Sequence, residues 1–280
     1  MLQAGQIQKL KVLRKTDIAY LLVDNDQNEV FLHVNESNHT PLSPNEEVEV
    51  FLYYDAKGRI SATLSKPLIM LEKPAVLKVI GITPGLGVFL DMGIAKDLLL
   101  SKDYLPFNQD LWPTLNDQVY VKLEAGSRLT AKPLKDDEIS SVIGNLPVPS
   151  QTTGFVQMIS KIGLFIYTDE GNLILVKNAN FRGQYRLGQT VNVSIKYLSQ
   201  AGYEGSLVLG KEYLREDDAQ IIVDYLKENN GKMPYTATTD AETITDIFNL
   251  SRKAFKRALG LLYKDRTIYF EGEYTILKED

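Results

Sequence analysis

Two aromatic side chains and a group of basic ones lie close together between residues 144 and 210 of this sequence. Phe165 and Tyr167 alternate along a strand-like run and so share one face, and Lys177 lies on the next run. Arg182 and Arg186 follow soon afterwards. Aromatic rings stack on the bases of single-stranded nucleic acid, while Lys or Arg contacts the phosphates. These residues therefore favour non-covalent binding of a single strand.

Local charge supports the same segment. Residues 144–210 contain five basic and three acidic residues, a net charge of +2, whereas residues 1–66, 67–143 and 211–280 carry −2, −2 and −3. The whole chain carries −5, so phosphate binding must be local rather than a property of the overall field. We predict that residues 144–210 form the principal phosphate-facing surface, with an ordinary solvated loop as the alternative.

A second basic group falls on a predicted helix near the C-terminus. Helical spacing places its cations opposite the apolar Phe255 and Leu259. Such a helix can enter a DNA major groove or contact RNA phosphates. Protein binding is the alternative, because Glu271 and Glu273 make the surroundings acidic. The basic residues are Arg252, Lys253, Lys256 and Arg257.

Residues suited to catalysis or metal binding are few. The sequence has no cysteine, and its two histidines, His33 and His39, lie in a strand and a proline-bearing loop, unlike common metal-ligand spacings. The acidic runs at 46–49 and 136–138 are explained by solvated loops or strands, and no phosphate-binding glycine motif is present. We therefore expect no enzyme, no metal and no cofactor.

One apolar pattern occurs three times before residue 210. Each copy has an apolar strand, a second strand with a small-aromatic-apolar core, a third strand after a turn, and then two alternating strands. Tyr20, Phe89 and Phe165 line up as the aromatic of the second strand. Period-two alternation indicates one buried and one exposed face. The sequence predicts three tandem five-stranded barrels at 1–66, 67–143 and 144–210.

Helical periodicity replaces this pattern in residues 211–280. A first helix is predicted to have Asp217 and Asp218 in its first turn, with Gly231 just beyond its end. Two more helices follow, the second capped by Ser251, and then a hairpin turns at Gly272. This order is that of an α+β winged helix-turn-helix domain, so the chain is predicted to be multidomain and mainly β.

The three repeats resemble the S-one RNA-binding domain, a variant of the five-stranded oligonucleotide-binding (OB) fold. The first matches it at Ala19-Tyr20-Leu21, at Phe31-Leu32-His33 and at the run from Asp55 to Ile60. The second keeps Gly87-Val88-Phe89-Leu90 and Ser127-Arg128-Leu129, and the third keeps Gly163-Leu164-Phe165-Ile166. Leu100 and Val176 align with the histidine position. In the first two repeats the resemblance implies RNA contacts at Tyr20, Phe31, His33, Arg59, Phe89 and Arg128. For Tyr20 and Phe31 the alternative is that the ring fills the barrel interior.

Three such repeats before a winged helix resemble the conserved virulence factor B family of Gram-positive bacteria. The resemblance implies an RNA-binding regulator that acts after transcription, including on virulence genes, with single-stranded RNA as its partner. Two alternatives stay open: a protein-interaction scaffold with degenerate barrels, and DNA binding through the winged helix. Exposure of Phe89, Phe165 and Tyr167 beside basic residues favours RNA, and burial of all three favours the scaffold. The sequence shows no signal peptide or membrane span, and we expect a cytoplasmic location.

Overall fold

The computed structural model describes residues 1–139, 146–199, 202–207 and 211–278 and divides the chain into two compact units. The first, Met1–Leu207, contains three closed five-stranded barrels, and the second, Val208–Asp280, contains helices and a three-stranded sheet. The predicted fold class is confirmed: the chain is multidomain and mainly β, with a winged helix after three barrels. The predicted boundaries near residues 143 and 210 lie outside the described residues, and the one near 66 stays a prediction.

Barrel 1 illustrates the strand order of each barrel and the alternation of buried and exposed residues along its strands. Its strands are β1 (Ile7–Lys15), β2 (Ala19–Val23), β3 (Glu29–His33), β4 (Glu47–Tyr54) and β5 (Ile60–Thr63). They close in the order β1-β2-β3-β5-β4, and β3 pairs with β5 in parallel. Along β4 the side chains of Val48 and Val50 are buried, whereas Glu47 and Glu49 are exposed. Two faces of opposite polarity result, and the apolar face lines the core.

Barrels 2 and 3 repeat this arrangement. Barrel 2 contains β6 (Ala75–Thr83), β7 (Gly87–Leu90), β8 (Leu98–Ser101), β9 (Gln118–Ala125) and β10 (Leu129–Pro133). Barrel 3 contains β11 (Ser150–Ile159), β12 (Gly163–Thr168), β13 (Leu173–Lys177), β14 (Thr190–Ser199) and β15 (Gly202–Ser206). Gly87 and Gly163 begin the second strands, because a Cβ there would collide with the carbonyl oxygen of Leu100 or Val176.

Strand pairing shows that Tyr20 does not correspond to Phe89 and Phe165. Tyr20 is 2% exposed in the core of barrel 1, and its hydroxyl accepts a hydrogen bond from the Leu42 amide at 3.4 Å. Leu21, one residue later, pairs with β3 as Phe89 and Phe165 pair with β8 and β13. A one-residue shift moves a strand side chain to the opposite face. Tyr20 therefore fills the barrel interior, which is the alternative to an RNA contact, and the expectation that it contacts RNA is wrong.

The same pairing moves the histidine position by one residue. His33 pairs with Ala19 at the start of β2. The residues that pair with Gly87 and Gly163 at the starts of β7 and β12 are Ser101 and Lys177. The alignment of Leu100 and Val176 with His33 is wrong, because both side chains point inward and are fully buried. Each barrel therefore has a polar side chain at this position.

The second unit has winged-helix order with one additional strand. Its elements are α1 (Lys211–Glu228), β16 (Lys232–Met233), α2 (Ala241–Phe248), α3 (Arg252–Lys264), β17 (Ile268–Glu271) and β18 (Tyr274–Leu277). The first helix begins at Lys211, earlier than predicted, and the unpredicted β16 pairs with β18. Ser251 caps α3 as predicted, because its hydroxyl accepts a hydrogen bond from the Ala254 amide at 3.2 Å. Phe255 and Leu259 lie on the buried face of α3, in the hydrophobic core of the second unit.

Gln157 joins barrel 3 to barrel 2. It lies at a bulge in β11, between Val156 and Met158, and it is 2% exposed. Its side-chain oxygen accepts a hydrogen bond from the Tyr120 amide at 2.9 Å, and its nitrogen donates to the Tyr120 and Leu134 carbonyls at 2.8 and 3.0 Å. One side chain thus satisfies three backbone groups of barrel 2 at a buried place, where unpaired polar groups are costly.

Arg186 and Leu187 add to the same junction. The Arg186 guanidinium donates from Nε to Asp117 Oδ2 at 2.8 Å and from Nη2 to Oδ1 at 3.0 Å. Leu187 belongs to the hydrophobic core of barrel 2. Planar guanidinium and carboxylate groups paired at two points fix orientation as well as distance. The junction therefore fixes which face of barrel 3 meets barrel 2.

Replacing Gln157 tests this junction. Gln157→Ala leaves the Tyr120 amide and two carbonyls without their partner, so we expect the free energy of unfolding of the first unit to fall by about 1–3 kcal/mol. Gln151→Ala is the matched control, since Gln151 is exposed on the same strand, and its effect should stay within about 0.5 kcal/mol. Urea denaturation followed by circular dichroism measures both. Equal effects of the two substitutions would contradict this role of Gln157.

Candidate nucleic-acid interface

In barrel 1, two of the four predicted binding residues are exposed and are not engaged in an ion pair. Phe31 is 48% exposed on β3. His33 is exposed at the end of β3, and its Nδ1 accepts a hydrogen bond from the Asn35 amide at 3.1 Å. Arg59 is also exposed, but its guanidinium is paired with a carboxylate of its own turn. Tyr20 is in the core, so barrel 1 offers Phe31 and His33 for base contacts.

Arg59 organises the turn between β4 and β5. Its Nε and Nη2 donate to Asp55 Oδ2 at 2.9 and 2.7 Å, and Asp55 Oδ1 accepts from the Lys57 and Arg59 amides. Burial alone would raise the pKa of Asp55, but the hydrogen bonds from Arg59 and Lys57 outweigh burial and hold that pKa below its usual value. Arg59 therefore fixes the turn from Asp55 to Arg59, and the guanidinium is already engaged.

Barrel 2 places both of its predicted residues on an open groove. Phe89 and Arg128 line a cavity of about 550 Å³ between barrels 1 and 2, which we call the inter-barrel groove. Phe89 is half-buried and Arg128 is exposed. The opposite wall is the segment from Tyr53 to Gly58 of barrel 1. An aromatic ring and a cation are thus brought together in one concave site.

The aromatic face of barrel 3 is covered by barrel 2. Tyr167 lies against Tyr120 with ring centroids 4.6 Å apart, and Phe165 packs with Leu134 and Ile139. Burial, followed by the proximity of Tyr120, raises the pKa of Tyr167 to about 12. Both aromatics are half-buried rather than free. The expectation that they form an open stacking face is wrong, because the junction with barrel 2 covers that side.

Two of the three predicted cations of barrel 3, Lys177 and Arg186, form ion pairs. Lys177 Nζ lies 2.6 Å from Glu204 Oε2, and the same oxygen accepts a hydrogen bond from Tyr197. The hydrogen bond to Glu204 raises the pKa of Lys177, and it lowers the pKa of Glu204. Arg186 is committed to Asp117, and Arg182 is exposed. Two of the three cations predicted to contact phosphate are therefore already paired, and the role of barrel 3 as principal phosphate surface stays a prediction.

The four predicted cations of α3 form one exposed surface. Arg252, Lys253, Lys256 and Arg257 are all exposed and line a shallow depression, which we call the α3 basic surface. The Arg252 guanidinium is 3.4 Å from the Thr238 carbonyl oxygen. Among the residues that the structure describes, none of the four forms an ion pair. The predicted outward orientation of these side chains is confirmed.

Sequence reasoning missed the barrel 1 side of the inter-barrel groove. Tyr53, Tyr54, Lys57 and, from barrel 2, Lys96 line it. Consecutive tyrosines at the end of β4 offered a signal, because alternation sends one of any two neighbours outward. Their meeting with Phe89 depends on how the barrels pack, which local pattern does not encode.

Metal-binding clusters and membrane-spanning helices are two further features of interest. In the part of the chain that the structure describes, no group of three or more His, Cys, Asp or Glu side chains is arranged to hold a metal ion. Across the same residues no helix is both long enough and apolar enough to cross a membrane.

Three family profiles match the chain. An S1 domain matches residues 4–65, the CvfB first S1-like domain matches residues 75–130, and the CvfB-like winged helix domain matches residues 220–277. These ranges fall on barrel 1, on barrel 2 and on the second unit. The matches agree with the barrel and winged-helix assignments made from the strands and helices.

Relatives match over nearly the whole length. YitL of Bacillus subtilis is 31% identical over 284 residues, which cover 99% of this chain and 95% of YitL. Conserved virulence factor B of Staphylococcus epidermidis is 30% identical over 285 residues, covering 98% of this chain and 95% of that protein. A crystal structure of a multidomain protein with nucleic acid binding domains from Streptococcus pneumoniae is 24% identical, covers 98% of both chains and has a TM-score of 0.61. The fold is shared with that structure.

The raised pKa of Tyr167 gives an alkaline stability prediction. A tyrosine with a pKa of about 12 in the folded state and about 10 when unfolded holds its proton more tightly when folded. Its contribution to stability is complete below about pH 10 and is lost as pH rises towards 12. Tyr167→Phe should therefore lose stability less steeply than the unsubstituted chain over this range.

Urea denaturation at several pH values between about 9 and 11.5 measures this slope. Tyr104→Phe is the control, because Tyr104 is 42% exposed, and it should follow the unsubstituted chain. A Tyr167→Phe curve parallel to that of the unsubstituted chain would show that the junction does not hold Tyr167 protonated.

Proposed function

This chain belongs to the conserved virulence factor B family, and from that premise we propose that it is a non-enzymatic RNA-binding regulator acting after transcription. Its target process is transcript stability or translation, including that of virulence genes. Recognition of single-stranded RNA, rather than of nucleic acid in general, is part of this proposal. So is the cytoplasmic location expected from the sequence.

The α3 basic surface is the observation that carries the proposal. Four exposed cations, Arg252, Lys253, Lys256 and Arg257, lie together on a chain whose net charge is −5. They occupy the first half of α3, where the partial positive charge of the helix N-terminus adds to their field. Cations at such a surface displace the condensed counterions of a nucleic acid, which makes binding dependent on salt. Four exposed cations on one helix face form a surface that suits the phosphates of a nucleic-acid backbone.

The barrels supply the preference for unstacked bases. Phe31 and His33 are open on barrel 1, and Phe89 faces the inter-barrel groove. Rings of this kind stack on bases that are free of a duplex, at about 1–3 kcal/mol per base. A duplex hides its bases from such contacts. These contacts favour a single-stranded ligand, and the resemblance of the barrels to the S-one RNA-binding domain favours RNA over DNA.

Two other functions have specific support. DNA binding is favoured by the exposure of the α3 basic surface, since recognition helices of winged helices enter the major groove. Protein binding is favoured by exposed aromatics at the end of α3 and on the wing, where Tyr263 of α3 and Phe270 of β17 stack with ring centroids 5.4 Å apart. The two alternatives differ in a binding assay: the first predicts a preference for duplex DNA, and the second predicts no binding to nucleic acid.

The test is fluorescence anisotropy with three labelled ligands of one sequence: single-stranded RNA, single-stranded DNA and duplex DNA. We expect the tightest binding to single-stranded RNA, with affinity that falls as salt rises. Tighter binding to the duplex would favour the DNA alternative. No binding to any of the three at low salt would overturn the proposal in favour of a protein scaffold.

Neutralising part of the α3 basic surface should weaken RNA binding. For Lys256→Gln with Arg257→Gln, we expect the slope of log affinity against log salt to fall by about 0.7 for each phosphate that the surface no longer binds. The matched control is Lys227→Gln with Lys264→Gln, which removes the same charge from exposed positions of the same unit. Equal reductions for the two pairs would point to overall charge rather than to the α3 basic surface.

A further inference from the structure

The inter-barrel groove is built by two barrels, and its walls are held in place. Phe51 of barrel 1 is buried in the hydrophobic core of barrel 2. The Leu71 amide donates to the Gly5 carbonyl at 3.0 Å, and Lys96 Nζ donates to the Tyr54 carbonyl at 2.7 Å. The volume of about 550 Å³ lies within the roughly 300–1,000 Å³ usual for ligand sites. A ligand would therefore meet a formed site.

The turn that closes the groove on the barrel 1 side is also fixed. Asp55 accepts hydrogen bonds from the Lys57 amide at 2.8 Å and from the Arg59 guanidinium at 2.7 Å. Gly58 adopts φ of 77°, which a glycine accommodates without strain. Because the Asp55 carboxylate is already paired with Arg59, it does not oppose an incoming anion at full strength. The Lys57 side chain stays exposed beside it.

The lining combines rings with cations. Tyr53 and Tyr54 come from barrel 1 and Phe89 from barrel 2. The cations are Lys57, Lys96 and Arg128, and the carboxylates are Asp55 and Asp97. Lys57 and Arg128 form no ion pair with any described residue. Aromatic surface suits a planar base, and unpaired cations suit a phosphate.

We propose that the inter-barrel groove binds one unstacked nucleotide of a single-stranded RNA, with its base against the rings and its phosphates against Lys57 and Arg128. The turn of barrel 1 thereby becomes a wall of the binding face of barrel 2, and neither barrel has the complete site alone. This proposal rests on the RNA binding proposed above and assigns one contact of that RNA. The cations explain why a nucleotide is favoured over an uncharged aromatic ligand.

Photocrosslinking locates the bound base. Single-stranded RNA substituted with 5-iodouridine is bound to the full chain, irradiated, and digested with protease and nuclease before mass spectrometry. We expect crosslinks at Tyr53 or Tyr54 of barrel 1 as well as at Phe89 of barrel 2, and crosslinks at Phe89 alone would show that barrel 1 does not contribute to the site. Bound RNA that crosslinks only at other residues would overturn the assignment of the groove while leaving RNA binding intact.

Two variants measure the energetic contribution of the groove. Lys57→Gln with Arg128→Gln should lower the salt slope by about 1.4, two bound phosphates at about 0.7 each, and Phe89→Leu should weaken binding about tenfold by removing a stacking ring. The control is Lys11→Gln with Lys78→Gln, which removes one exposed cation from each of the same two barrels outside the groove. Because Phe89 is half-buried, circular dichroism checks that Phe89→Leu still folds. Lys57 and Arg128 are exposed, so we expect their replacement to leave the fold unchanged.

The outcomes separate this proposal from the function on which it rests. Weaker affinity in the groove variants, with the control unchanged, supports the groove. Unchanged affinity in both groove variants overturns the groove alone, because the chain still binds RNA. Absence of RNA binding by the unsubstituted chain overturns both proposals.

Discussion

The amide of Gln157 and the ion pair between Arg186 and Asp117 determine which surfaces the first unit can offer. Both contacts lie at the junction of barrels 2 and 3, and both saturate polar groups that would otherwise be costly to bury. Once they form, Phe165 and Tyr167 lie against barrel 2. A face with the right residues for stacking has become an internal contact. Inter-barrel packing, rather than the content of each repeat, thus decides exposure.

Between barrels 1 and 2, packing leaves the corresponding aromatic beside an open groove instead of covering it. There Phe51 enters the core of barrel 2, yet the segment from Tyr53 to Gly58 and the Phe89 side chain line the inter-barrel groove together. Phe89 corresponds in strand position to Phe165. Phe89 therefore lines a cavity, whereas Phe165 packs against the neighbouring barrel. Two barrels with the same fold and the same aromatic differ in what that aromatic can do. In both cases the preceding barrel sets the difference: barrel 2 packs on Phe165, whereas barrel 1 leaves a groove beside Phe89.

Much of the fold followed from local patterns. Alternation along β4, the cap at Ser251 and the outward cations of α3 were all predictable, because each depends on residues close in sequence. Tyr20 was misplaced because small and aromatic residues in succession allow two alignments that differ by one residue. Only pairing of Ala19 with His33 selects between them. The roles of Gln157, Arg186 and Lys96 were not predictable, since each is defined by a partner in another barrel.

For the proposed function, charge placement matters because an acidic chain has to bind an acidic polymer. General attraction is weak at a net charge of −5, so non-specific binding through the overall field is suppressed. Contact depends instead on places where cations are unpaired, and ion pairs such as Lys177 with Glu204 remove others from that set. Weak sites on one chain reinforce each other through effective concentration when a single ligand spans them. A long, flexible single strand meets that condition more readily than a short ligand that reaches one site alone.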